Sequence, residues 1–207
     1  MKKLLFSTAA VTVVGLGLLG AAQPAHAGVI PYPNAGTPNP ITYTFTAAAT
    51  GNVVAFFAGS GASFDEQVQL VDVTQGTASA LGLDDHTSAL GDTISLAVNV
   101  GDTLVFLDDV LSIGITWSSD PTANGGDNHI YSTSAAAGQV YSGSPAGTYV
   151  AFEDEPFSSS DFNYFDNTFV FTDVGISTHG VPEPASLALL GAGLAGLGLI
   201  RRRRAYW

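Results

Sequence analysis

The chain contains no cysteine. Disulfides, thiolate metal centres and cysteine nucleophiles are excluded with it. Basic residues are scarce and confined to the ends: the six are Lys2, Lys3, Arg201, Arg202, Arg203 and Arg204. Residues 28–180 therefore carry no Lys or Arg, yet they hold 17 of the 18 carboxylates, all but Glu183. With neutral histidine that stretch has a formal charge of −17. It can form no Lys or Arg salt bridge of its own, and its charge argues against nucleic acid and anionic lipid head groups as partners. The helical period is missing too, because no window between 28 and 180 repeats its apolar residues at that spacing. Catalytic signatures are equally absent. There is no G-x-S-x-G, no H-E-x-x-H and no phosphate-binding loop. No pair of carboxylates is placed as a glycosidase requires. The expectation is a protein that is not an enzyme, with no catalytic residues.

What is there begins with hydrophobicity. A chain this acidic invites disorder, but 46% hydrophobic residues and 12 Phe argue for a packed core. Roughly 150 residues between the termini suffice for one domain. Residues 28–40, "GVIPYPNAGTPNP", hold four prolines and two glycines and read as a linker or edge segment. "ITYTFTA" then alternates, with Ile41, Tyr43 and Phe45 on one side and threonines on the other, and "NVVAFFAG" reads as its hairpin partner. In "EQVQLVDV" Val68, Leu70 and Asp72 share a face. "GDTISLAVNVGDTLVFLDDV" repeats Gly-Asp-Thr at Gly91 and Gly101, with Ile94, Leu96, Val98 and Val100 on one face between the turns. Short strands with regular turns predict an all-β fold, a single jelly-roll-like sandwich of eight to ten strands over residues 41–179.

Both ends carry processing signals. Met1-Lys2-Lys3, an apolar run and Ala25-His26-Ala27 predict a signal peptide over residues 1–27, cut by signal peptidase before Gly28. At the other end, residues 180–207 place Val181-Pro182-Glu183-Pro184 before an uncharged run, 185–200, and the block Arg201 to Arg204. Pro182 and Pro184 keep the backbone extended around Glu183, and Pro184 suits the first position of a helix. At 1.5 Å per residue the run reaches about 24 Å, short against a hydrocarbon core of about 30 Å. Four glycines, Gly191, Gly193, Gly196 and Gly198, soften it. The arginines stay on the cytoplasmic side. Chain outside, weak helix in the membrane and positive cap inside make a transient stop beside an accessible Pro-Glu-Pro.

Those three parts in that order resemble the PEP-CTERM sorting domain, a segment also catalogued as an ice-binding protein C-terminal domain. Regular Thr-x-Thr ranks are absent apart from "TYTFT", so the second name implies nothing here. The resemblance implies handling by an exosortase, a membrane protease-transpeptidase, in bacteria that make exopolysaccharide and biofilm. The implied route is secretory export, a passing inner-membrane anchor through 185–200, then the cell surface or the medium. Val181, Pro182, Glu183, Pro184 and the four arginines would be its sorting residues.

A second resemblance lies in the body. Phe152-Glu153-Asp154 and the run from Asp161 to Asn167 are similar to the end of a family of secreted acidic β-domains that closes in FED and DxDYND. "DNHIYST", residues 127–133, resembles a further segment of it. Asn163 and the extra Phe165 depart from the pattern. The family implies a β fold and no particular activity.

The residues themselves suggest a metal. If Asp161 and Asn163 project together from an extended strand and a loop brings Glu153 and Asp154 alongside, with Asp166 near, hard oxygen donors gather where calcium would suit. The competing use of these residues is turn capping. His86, His129 and His179 are scattered and read as surface or turn residues, and Trp117 and the tyrosines as packing. Two functions fit: a structural or adhesive exoprotein of the surface or polysaccharide matrix, and a carbohydrate-binding module displayed by the same route.

Overall fold

The computed structural model describes residues 29–180, so the expected signal peptide, the Pro-Glu-Pro motif, the 185–200 helix and the arginines lie outside the described residues. Eleven strands follow one another: β1 (Ile41–Ala47), β2 (Gly51–Ser60), β3 (Glu66–Asp72), β4 (Thr77–Ala78), β5 (Thr93–Val98), β6 (Thr103–Val110), β7 (Ile115–Ser118), β8 (Ile130–Ala135), β9 (Gly147–Phe152), β10 (Asn167–Thr172) and β11 (Val174–Gly180). The one helical turn among them is a 3-10 turn, Pro121–Asn124, capped by Asp120. Among the described residues no helix is long and apolar enough to cross a membrane.

The strands make two antiparallel sheets. One runs β11-β1-β6-β3-β4, with β7 also paired to β6; the other runs β5-β2-β10-β9-β8. On one edge of β6, β1 takes Leu104 and Thr103, and β7 takes 107–110. The period-2 patterns dictate what lies between the sheets. Tyr43, Phe45 and Ala47 point inward from β1, and Leu104 and Phe106 from β6. Phe169 and Phe171 meet them from β10, with the Phe106 and Phe171 rings stacked at 4.0 Å.

The expected hairpin between β1 and β2 does not form. β1 pairs with β11 and β6, whereas β2 pairs with β10 and β5. The 48–50 connection instead carries the chain from one sheet to the other, so the apolar faces of β1 and β2 share one core between the sheets. The Gly-Asp-Thr repeats do mark two turns of one design. Gly91 and Gly101 sit at φ +88 and +85, and Asp92 and Asp102 accept the main-chain N–H three residues back at 2.8 and 2.7 Å. Val100, beyond the end of β5, is exposed and not part of the buried face.

β9 and β10 are buried on both sides. Their second face meets a smaller cluster of Tyr32, Val140, Tyr149, Tyr164 and Val170, with Val29 and Ile30 against it. Residues 29–40 form no strand, as their prolines require, but they do not stand off the domain as a linker would. Tyr32 packs edge-on against Tyr164, and the buried Asn39 amide donates to the Tyr43 hydroxyl and the Ile130 carbonyl, both at 2.9 Å.

Candidate functional site

The site grows from the way β9 ends and β10 begins. Phe152 and Asn167 are opposite one another in the sheet, so the 153–166 loop must return to where it left. Its first and last residues are thereby forced together. Asp166 donates its N–H to the Phe152 carbonyl, and Asp154 donates its own to Asp166 Oδ2 at 3.2 Å. One carboxylate oxygen from each of Glu153, Asp154 and Asp166 lies within 4.8 Å of the others, and all three residues are buried.

Asp161 and Asn163 complete the wall, though not from an extended strand as the sequence suggests. Phe162 and Tyr164 flank Asn163 at φ 52 and 53, in the left-handed region that L residues rarely adopt. Asp161 accepts the Asn163 N–H at 2.9 Å and its side-chain amide at 2.8 Å. The bent loop still turns both residues toward the trio and sends Tyr164 to the buried tyrosine cluster. Glu153, Asp154, Asp161, Asn163 and Asp166 all line one cavity of about 330 Å³, closed on its other side by residues 61–64.

Two carboxylates lie deeper, where no donor was expected. Glu66 opens β3 and Asp108 lies on β6; both point inward and both are fully buried. Asp108 is opposite Val68 in the β3–β6 pair, one inward position along from Glu66. Asn167 donates its amide to Asp108 Oδ1 at 2.9 Å, and Asp85 Oδ1 accepts the Glu66 N–H at 2.8 Å. Glu66 Oε1 and Oε2, Asp108 Oδ2 and Asn167 Oδ1 have no hydrogen-bond partner.

The electrostatics follow from burial without a cation. Burial, then Asp108 and Asp154, push the Glu66 carboxyl up to about 12. Burial likewise raises Asp108 to about 7, against the Asn167 hydrogen bond that pulls it down. Asp166 rises to about 9 through burial and the charges of Asp154 and Glu153, and Glu153 to about 7, again chiefly through burial. Each of these groups resists ionisation unless a positive charge stands beside it.

His129 is the correction among the histidines. It is fully buried, with Nδ1 hydrogen-bonded to the Glu153 carbonyl at 2.9 Å and its ring stacked on Trp117 at 3.7 Å. Trp117 Nε1 donates to the Asp154 carbonyl at 2.7 Å, so the pair holds the backbone on which both carboxylates ride. His86 and His179 are exposed; His86 Nδ1 faces Asp65 at 2.8 Å. Tyr32, Tyr43, Tyr149 and Tyr164 are packed inside. Glu66 and Asp108 were legible only as carboxylates at inward positions of alternating strands, Glu66-Val68-Leu70 and Leu104-Phe106-Asp108.

Comparison with known proteins bears on the C-terminal segment. Residues 180–204 match the family model of the PEP-CTERM protein-sorting motif. No curated protein and no solved structure matches the chain. The chain therefore carries a PEP-CTERM sorting motif, which marks a surface or secreted protein processed by an exosortase.

Proposed function

We propose that this chain is a non-enzymatic exoprotein, exported after signal-peptidase cleavage before Gly28 and sorted to the cell surface or exopolysaccharide matrix, where its β-sandwich has a structural or adhesive role. The observation that carries the reading is the sorting motif at residues 180–204, joined to an acidic all-β body. The repeated crossing of the chain between sheets, after β1, β2, β4, β5, β7 and β10, supports a jelly-roll-like description of that body. Burial of four tyrosines in the packing favours the structural role over a carbohydrate-binding module, which needs exposed ring faces.

The same reading gives the cavity a calcium ion. Glu153, Asp154 and Asp166 supply converging carboxylates, and Asp161 and Asn163 stand at the wall with further oxygens. Calcium takes roughly six to eight such donors, with water filling the remainder. No lysine or arginine of the body competes for them.

Intact-mass measurement of the protein recovered outside the cell tests the sorting. The expected species begins at Gly28 and lacks Arg201 to Arg204. A secreted species that still carries the arginines would overturn processing.

A further inference from the structure

The negative charge of residues 28–180 is not spread evenly over the fold. One end of the sandwich is built from three short connections: 48–50 from β1 to β2, 73–76 from β3 to β4 and 99–102 from β5 to β6. They are tied to one another. Val73 donates its N–H to the Thr103 carbonyl at 2.9 Å, Thr103 donates its own to Thr74 Oγ1 at 2.9 Å, and Val100 donates to Thr50 Oγ1 at 3.0 Å. Of the 17 carboxylates of residues 28–180, Asp72, Asp102 and Asp173 belong to this end. Asp72 and Asp102 are buried, accepting the N–H groups of Gln75 at 2.9 Å and Asn99 at 2.7 Å, which leaves Asp173 exposed. Val100 and Val73, 64% and 55% exposed, are the two most exposed large apolar side chains among the described residues, and both stand here. Beside them Gln75, Thr77, Ala97, Val98 and Asn99 line a groove of about 240 Å³. The acidic 153–166 loop is at the opposite end, where β9 stops and β10 starts. Strands of seven residues, β1 and β3, separate the two ends. That length is about 20 Å, more than twice the Debye length of about 8 Å at physiological ionic strength.

We propose that this end is a docking surface for a second copy of the chain, in an end-to-end pair related by a two-fold axis. Charge selects the occupant. A basic partner is drawn to the acidic end, whereas two acidic copies repel each other least where their carboxylates are fewest and farthest away. The shape is self-complementary as well. Val100 follows Asn99, a wall of the groove, so a two-fold operation seats each Val100 against the groove of the other copy. β11 runs from Val174 at this end to Gly180 at the other, so the pair carries its two Gly180 residues at its far extremities. Chains tethered to two facing surfaces through their C-terminal segments meet in that arrangement. The pair gives the adhesive role a contact and rests on that reading for its biological meaning, but the contact itself does not depend on sorting.

Sedimentation equilibrium of the protein recovered outside the cell tests the pairing. Intact mass identifies the species used, so a failure of processing is read apart from a failure of pairing. Wild type should be a mixture of monomer and dimer whose dimer fraction rises with concentration. Val100→Asp and Val73→Asp each set like charges against one another across the axis, and each should raise the dissociation constant about a hundredfold. Both side chains stand on exposed turns, and the second variant carries the test if the first does not fold. Leu111→Asp, at an exposed apolar position of the acidic end, should leave the dissociation constant unchanged. A wild type still monomeric at about 1 mM, where even weak contacts are populated, would overturn the proposal and leave this end to a different partner. Dimers that survive both valine variants, or that weaken equally in Leu111→Asp, would overturn it too, because the contact would then lie elsewhere.

Discussion

At the scale of single residues, tight packing makes one small side chain decisive. Gly147 opens β9 beside the end of β10, and a Cβ there would overlap the Phe171 carbonyl oxygen. Backbone cannot swing aside as a side chain can, so Gly147→Ala should destabilise the domain by about 1–3 kcal/mol. Chemical denaturation reads this as a lower midpoint with an unchanged slope. Nothing local in the sequence marks this glycine, because its crowding comes from a strand 24 positions on. What the sequence does show at this scale is which way side chains point. Tyr43, Phe45, Val68, Leu70 and Asp72 all face inward as alternation predicts. Asp72 is the instructive member, since an acidic side chain on an apolar face already announces that this core contains polar groups.

At the scale of elements, the 153–166 loop brings the outer donors together because its ends are pinned at one rung of the β9–β10 pair. Calcium bound only by the folded loop stabilises it by mass action, about 2.7 kcal/mol at a concentration 100 times the dissociation constant. That corresponds to a rise of several degrees in the melting midpoint. Thermal melts in calcium, in chelator and in sodium chloride of matched ionic strength separate this gain from general screening. Asp161→Ala should narrow the gap between the calcium and sodium chloride midpoints, beyond the shift common to both curves from the lost bonds to Asn163. Equal midpoints in the two salts would reduce the loop's acidic residues to turn caps. The five outer donors were legible because they lie within 14 residues of sequence, from Glu153 to Asp166. Glu66 and Asp108 were not, because nothing local brings them to that loop. Strand pairing does so, and β1 and β2 show that pairing partners do not follow from adjacency in the chain.

At the scale of the whole molecule, charge is divided between an acidic body and a basic extremity. Neutral replacements of Arg201 to Arg204 should weaken the positive stop that orients the C-terminal run. The expected result is uncut protein in the medium, seen as a heavier intact mass than wild type. Processing at the wild-type rate would show that the arginines are not the stop. The place where the sorting segment joins the body has a mechanical consequence. Gly180, the last residue of β11, is opposite Ile41, and β11 has β1 as its one strand neighbour at the edge of its sheet. A pull entering through Gly180 reaches the hydrogen bonds of β11 one rung at a time, beginning at Ile41 and working toward Ala47. Under load the domain peels like adhesive tape: β11 gives way first, at low force, while the double-sided packing of β9 and β10 remains closed.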